Sequence, residues 1–202
     1  MRIGLGFDIH RFTSRGGTLK LGGVTIPHSR GLAGHSDGDV LLHAIADALL
    51  GAIAGPDLGE LFPSSDPSLR QADSRRFVEH SYALVRRAGW RVANVDAVVV
   101  ADAPRLAPHK PKILQALGRL LALPPEAVSV KSKTTEGFSP GADGISAQAV
   151  VLLERAKSTR ALRAQGPEPD KHRRRGRPAR DGARGSGLSK ARSPQSRARS
   201  RR

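Results

Sequence analysis

Two rhythms of apolar and polar positions alternate along the first 157 residues. Residues 2–9, 91–101, 128–133 and 144–153 read as strands; the second of these carries the apolar run Ala97-Val98-Val99-Val100. Residues 18–26 read as two short extended pieces broken by Gly22-Gly23. Between the strands lie three helical stretches: 37–53, apolar nearly all round; 73–88, closed by Gly89; and 108–121, stopped before Pro124-Pro125. No internal repeat is present. The alternation predicts an α/β fold (an α+β sandwich), a mixed sheet with helices on one face.

The pattern stops near residue 157. Beyond it the only large aliphatic residues are Leu162 and Leu188, among Arg, Pro, Gly, Ser and Ala. Such a segment cannot bury enough apolar surface to offset the entropy of ordering it, so 1–157 is expected to be one domain and 158–202 a disordered basic tail. Charge divides at the same place. The chain carries 34 Lys+Arg and 18 Asp+Glu, net +16; the first 157 residues hold 19 basic and 15 acidic side chains, the last 45 hold 15 and 3. The near-neutral domain, with aromatics only 3% of the chain, argues against a nucleic-acid-binding core. Nucleic acid is expected to meet this protein only nonspecifically, through the tail. Cysteine is absent, which excludes disulfides, iron–sulfur clusters, a thiolate nucleophile and any zinc site with cysteine ligands. No apolar run is long enough to span a bilayer and the N-terminus has no apolar signal region, so a cytoplasmic protein without membrane partners is expected.

Four segments carry candidate chemistry. Asp8 and His10, two apart on a strand, project to one face and could share a metal ion, although such a triplet is commonly incidental. His35-Ser36-Asp37-Gly38-Asp39 opens the apolar helix, with Ser36 or Asp37 the expected N-cap and backbone N–H groups suited to a phosphate. Within that helix Asp39, His43 and Asp47 form a polar stripe that burial would oblige something to satisfy: a metal on His43 with Asp39 or Asp47 as its supporting partners, or a capping aspartate and a hydrogen-bonded core histidine. Asp8, His10 and His43 together make a one-carboxylate, two-imidazole set that suits zinc with an open fourth position, or manganese or cobalt. Lys133-Thr134-Thr135-Glu136, at a strand end, offers phosphate-binding hydroxyls, a cation and a carboxylate for magnesium, or only a solvated strand end. The segment Ala101-Asp102-Ala103-Pro104-Arg105-Leu106-Ala107 offers main-chain groups that could read a base, or merely connects a strand to a helix.

The order and wording of these pieces resemble the 2-C-methyl-D-erythritol 2,4-cyclodiphosphate synthase family of the non-mevalonate isoprenoid pathway. The resemblance covers about residues 1–156. It is carried by Gly6-Phe7-Asp8-Ile9-His10, Gly22-Gly23-Val24, His35-Ser36-Asp37-Gly38-Asp39-Val40 with His43-Ala44, and Asp47-Ala48-Leu49-Leu50-Gly51. Asp57-Leu58-Gly59, Leu61-Phe62-Pro63, Ala72-Asp73-Ser74, Ala103-Pro104 and Thr134-Thr135-Glu136 continue it.

The resemblance implies a homotrimer with active sites between subunits, and zinc on Asp8, His10 and His43. Magnesium or manganese is implied at Glu136 with the substrate phosphates. Implied substrate contacts are Asp8, Ile9, His10, His35 and Ser36; Asp57, Leu58 and Gly59; Phe62, Pro63, Ser64, Ser65 and Asp66; residues 101–107; and Lys133, Thr134, Thr135, Glu136 and Phe138. His35 and Thr134 fall where the family stabilises the transition state. The implied reaction converts a cytidine diphosphate ester of methylerythritol 2-phosphate to the cyclic diphosphate and CMP. A metal-dependent phosphodiesterase or phosphatase with the same ligands is the alternative, told apart by whether water enters the product. Three features depart from the family: Lys133 precedes only two threonines, the loop after Glu136 is short, and Gly141 stands where an arginine is frequent. That arginine meets prenyl diphosphates in an axial cavity, so weaker prenyl diphosphate binding is expected here.

Overall fold

The computed structural model describes residues 1–138 and 143–156. The tail at 158–202 and Gly141 lie outside the described residues. The elements run β1 (Arg2–Arg11), β2 (Leu19–Leu21), β3 (Val24–Ile26), α1 (Val40–Ala52), α2 (Leu58–Leu61), α3 (Arg75–Arg87), β4 (Trp90–Val100), α4 (Lys110–Leu121), β5 (Val128–Lys133) and β6 (Gly144–Arg155). Short 3-10 turns at Pro67–Leu69 and Pro125–Ala127 complete the order.

The main sheet has the order β1-β6-β4-β5, with β6 antiparallel to both neighbours and β4 parallel to β5. It is therefore mixed. Helix α1 packs on β1 and β6, α3 on α1 and β4, and α4 on β5, so all three long helices cover one face. The core lies between, built from Leu41, Ile45 and Leu49 of α1 and Val95, Ala97, Val99, Ala147, Ala149 and Val151 of the sheet.

Strand β1 allows this because of its inward residues. A Cβ on Gly4 would lie 1.8 Å from the Ala48 carbonyl oxygen, and one on Gly6 would lie 2.0 Å from that of Ala44. Only glycine lets α1 approach so closely. The outward residues of the same strand are apolar and uncovered in the single chain: Ile3 is 69% exposed, Leu5 59%, Phe7 57% and Ile9 65%. Val150 of β6, opposite Leu5, extends this patch across the sheet.

Helix α1 begins three residues later than expected. Its N-cap is Asp39, not Ser36 or Asp37. Asp39 accepts from the Leu42 N–H in its own first turn, at 3.1 Å, and from Gly22 and Gly23 at 2.8 and 2.6 Å. Those two glycines have φ of 61° and 76° and form the turn between β2 and β3, so one buried carboxylate fastens that hairpin to the helix start. The short helix α2, which the apolar pattern did not suggest, is closed by a capping box between Asp57 and Glu60.

Candidate metal centre and its two cavities

Asp8 and His10 project from the inward side of β1 beyond Gly6, where α1 no longer fills the space. His43 meets them from the first turns of α1. Asp8 Oδ2 lies 2.9 Å from His10 Nε2 and 2.8 Å from His43 Nδ1. One ligand atom from each of the three residues fits within 4.8 Å of the others. Ligands of a tetrahedral zinc with bonds near 2.0–2.1 Å stand about 3.3 Å apart, so modest spreading of this trio admits the ion.

The proton arrangement makes the same point. His10 Nδ1 faces the carbonyl oxygen of Ala33, which can only accept, so Nδ1 carries a hydrogen and Nε2 is the nitrogen left for Asp8: it donates to the carboxylate when the ring is protonated and offers a lone pair to a cation when it is neutral. His43 Nε2 lies 2.9 Å from Ser74 Oγ and 3.0 Å from Ser36 Oγ, with Nδ1 left for Asp8. Two nitrogens and a carboxylate oxygen thus converge on one point, an arrangement that a cation relieves. The residues present fit a divalent metal. Burial by itself raises the Asp8 carboxyl pKa, but hydrogen bonds and charge from His10 and His43 outweigh it and hold the group well below the ordinary carboxylate range. The hydrogen bond to Asp8 raises His10 in return, against its partial burial.

Two expectations about α1 are corrected. Neither Asp39 nor Asp47 supports His43. Asp39 is spent on the three N–H groups named above, and Asp47 accepts from the Leu58 N–H at 2.8 Å, anchoring α2. Burial raises the pKa of both carboxyls, opposed by those backbone donors. The N–H groups of Asp37, Gly38 and Asp39, expected to be open to a phosphate, are engaged within the chain. Asp37 N–H donates to the Ala72 carbonyl oxygen, Gly38 N–H to Ser36 Oγ, and Asp39 N–H to Asp37 Oδ1.

A cavity of about 320 Å³ opens over the trio. His35, Ser36, Leu58, Gly59, Phe62, Pro63 and Ser64 line it, as expected, together with Leu69 and Phe77, which the sequence did not single out. Phe77 stacks between His43 and Phe62, with ring centroids 5.9 and 4.5 Å away, and forms an apolar wall. The expected contacts Asp57 and Asp66 spend their carboxylates as helix caps, on Glu60 and Ser68 N–H groups. Ser65 does not line the cavity, and the Ile9 side chain lies on the opposite face of β1.

A second cavity, of about 400 Å³, lies between Ala101–Ala107 and Ser132–Glu136 and shares no lining residue with the first. Asp102, Pro104, Arg105, Leu106, Lys133, Thr134 and Glu136 line it. Asp102 accepts from both the N–H and the hydroxyl of Thr135 at 2.8 Å, tying the two segments together, and Thr134 Oγ1 donates to Glu136. The Ala103 side chain does not line this cavity, and Phe138, 94% exposed, packs on neither. The register places the cavities at the same end of the sheet. His10 pairs with Ile145, whose neighbour Ser146 pairs with Val100, which pairs with Lys133. Yet β1 and β5 are opposite edges, so three strand spacings, roughly 14 Å, separate the two halves.

The family model described as the YgbB family matches residues 1–154. The chain belongs to the YgbB family. A 2-C-methyl-D-erythritol 2,4-cyclodiphosphate synthase from Syntrophomonas wolfei is 54% identical over 158 residues, covering 77% of this chain and all of that protein. A bifunctional enzyme IspD/IspF from Erythrobacter litoralis is 49% identical over 77% of this chain but only 40% of its own length, so there the YgbB-like portion is one part of a longer chain. A solved 2C-methyl-D-erythritol-2,4-cyclodiphosphate synthase in its CDP-bound form superposes with a TM-score of 0.71 at 40% identity, covering 76% of this chain and all of that one. Among the described residues no helix is long and apolar enough to cross a membrane.

Proposed function

We propose that the chain converts 4-diphosphocytidyl-2-C-methyl-D-erythritol 2-phosphate to 2-C-methyl-D-erythritol 2,4-cyclodiphosphate and CMP, in isoprenoid precursor biosynthesis. The observation that carries the reading is the convergence of Asp8 Oδ2, His10 Nε2 and His43 Nδ1, together with a separate strand-end cavity able to take a nucleotide.

In this reaction the 2-phosphate oxygen bonds to the β-phosphorus as the bond from that phosphorus to the bridging oxygen breaks, and CMP leaves with the electron pair. The attacking phosphate is already an anion, so no strong base is needed. The obstacle is holding two anionic groups of one molecule against each other. Zinc held by Asp8, His10 and His43, and magnesium or manganese held by Glu136, would supply positive charge for the phosphates. Lys133 adds a fixed positive charge, and the hydroxyls of Ser36 and Thr134 can donate to phosphate oxygens, while His35 lines the cavity where the charge develops. Phe62, Phe77 and Leu58 give the metal cavity an apolar wall for the methylerythritol carbon chain. Ala101–Ala107, which borders the second cavity, would offer backbone groups to the cytosine.

The roughly 14 Å between the halves is too long for one subunit to surround the reacting phosphates from both sides. We therefore assign the active site to two neighbouring subunits of a homotrimer, with the apolar outward residues of β1 turned toward the axis. Residues 1–157 form the catalytic unit in this reading, and the basic segment 158–202 takes no part in turnover. The test is incubation with the cytidine-linked substrate in ¹⁸O-water. Ring closure yields CMP and a cyclic product without label; ¹⁸O in either product identifies a metal-dependent phosphodiesterase instead.

A further inference from the structure

We propose that Ser74, backed by Asp37 and Lys20, is a positioning residue that fixes which ring nitrogen of His43 faces the metal and thereby sets zinc affinity. The inference rests on the metal reading above and extends it to three residues outside the ligand set.

Ser74 flanks the N-terminus of α3, where a serine ordinarily accepts an N–H from its own first turn. Its hydroxyl makes no such bond. The residue is fully buried, and the hydroxyl points across to α1 instead. Ser74 Oγ lies 2.5 Å from Asp37 Oδ1 and 2.9 Å from His43 Nε2. A hydroxyl has a single hydrogen and a carboxylate can only accept, so that hydrogen goes to Asp37. Toward His43 the hydroxyl then has only a lone pair to offer, and Nε2 must be the donor. Ser36 Oγ, 3.0 Å from the same nitrogen, shares the Nε2 hydrogen while accepting from the Gly38 N–H, and turns its own hydrogen to Ser74 Oγ, 3.2 Å away, whose hydrogen is already given to Asp37. With a hydrogen held on Nε2, Nδ1 is the nitrogen that offers its lone pair when the ring is neutral, and Nδ1 is the atom 2.8 Å from Asp8 Oδ2, to which it donates when the ring is protonated.

Asp37 is itself held in place. Lys20 Nζ donates to Oδ2 at 3.0 Å, and the N–H groups of Ser74 and Asp39 approach Oδ1 at 3.3 and 3.4 Å. Every hydrogen along the line from His43 through Ser74 to Asp37 therefore points away from the metal centre. A serine that forgoes its own helix cap to complete this line is a local rule broken for a site. Hydrogen-bond partners of this kind fix the tautomer and orientation of a ligating histidine.

The experiment measures zinc affinity of the full chain by competition with a chromogenic chelator, and the ¹⁵N shifts of the His43 ring in the zinc-loaded protein. Ser74→Ala should weaken zinc binding about ten- to a hundredfold. It should also replace a single ring state, metal on Nδ1 and hydrogen on Nε2, by a mixture. The metal-free protein should melt somewhat lower, because the buried bonds to Asp37 and His43 are lost, but a purely structural loss of that kind would leave the ¹⁵N pattern of the His43 ring in a single state. Asp37→Asn supplies a second reading. Lys20 claims the amide oxygen, so the amide NH₂ faces Ser74 and turns the serine hydrogen toward Nε2; zinc affinity should fall as in Ser74→Ala. Should Ser74→Ala not fold, Asp37→Asn decides. Wild-type zinc affinity with an unchanged ¹⁵N pattern in a folded variant overturns the proposal. Failure of the unaltered protein to bind zinc overturns the metal reading itself.

Discussion

The cavity over Asp8, His10 and His43 and the cavity between Ala101–Ala107 and Ser132–Glu136 stand at the same end of one sheet but are built differently. The first is framed by α1, the most buried helix among the described residues, and the ring nitrogens that do not face Asp8 are engaged by Ala33, Ser36 and Ser74. The second rests on two strand ends whose side chains are largely exposed, joined by the Asp102 to Thr135 bonds. A metal demands ligand atoms fixed to within fractions of an ångström before it arrives, so its half is ordered by the chain alone. In the function proposed above, a nucleotide would bring its own shape and charge, and its half could be left open until a neighbour and the substrate complete it.

The sharpest way to break this contrast is to remove the helix's contribution. His43→Ala should lose bound zinc and reduce turnover to background while the fold survives, read by metal analysis and circular dichroism of the purified variant. Full zinc occupancy would show that the trio is not the metal centre.

Subunit mixing tests whether the two halves meet across subunits. His43→Ala and Glu136→Ala chains, each inactive alone, are unfolded together and reassembled in equal amounts. Random assortment in a trimer leaves about a quarter of the sites with both halves intact, so turnover should return to roughly that share. No recovery, despite mixed trimers seen by mass spectrometry, would place the whole site within one chain.

A smaller effect is expected from the frame. Gly6→Ala puts a methyl into the Ala44 carbonyl and must lift α1, with His43, off β1. Overpacking of this kind costs about 1–3 kcal/mol. Denaturant melts should show that loss, with weaker zinc binding and no change in CDP affinity at the other cavity.

The smallest effect lies beside Ser74. A hydrogen bond from Arg75 holds Asp73 at about 2, below its ordinary 3.8. A carboxyl depressed on folding stabilises the native state above the unfolded value, and that contribution disappears as pH falls from about 4 toward 2. Arg75 is exposed and Asp73 half-buried, so solvent screens much of the pair and Asp73→Asn should flatten this limb of the acid-unfolding curve only slightly. A steepened limb would reverse the assignment.

Much of this was legible in the sequence, for identifiable reasons. Strand and helix positions followed from local patterning, and β5 spans the expected residues 128–133. Asp8, His10 and His43 stood out because a two-residue strand spacing and a lone histidine in an apolar helix are local signals. Asp39 and Asp47 misled because helical spacing shows which residues share a stripe but not what lies opposite. Their partners, Gly22, Gly23 and Leu58, come from other segments. Ser74 had no assigned role for the same reason: it is 31 positions from His43, and only the packing of α3 on α1 joins them. The split into two cavities depends on strand order, with the last strand, β6, inserted beside the first, and no local pattern reports that.

Strand β1 carries two instructions on ten residues. Read at even positions, it says glycine, glycine, ligand, ligand; at odd positions it says Ile3, Leu5, Phe7, Ile9. Side chains on a strand alternate strictly, so a single inserted residue before Gly4 exchanges the readings. The aliphatic side chains would then collide with α1 while the ligands faced outward. Metal loading and, in the proposed trimer, assembly would fail together, from one lesion that need alter no charge. Insertions and deletions should therefore be as rare in this strand as substitutions of the ligands themselves, which makes β1 the segment whose length, more than any single side chain, governs whether a drifting copy of this chain still works.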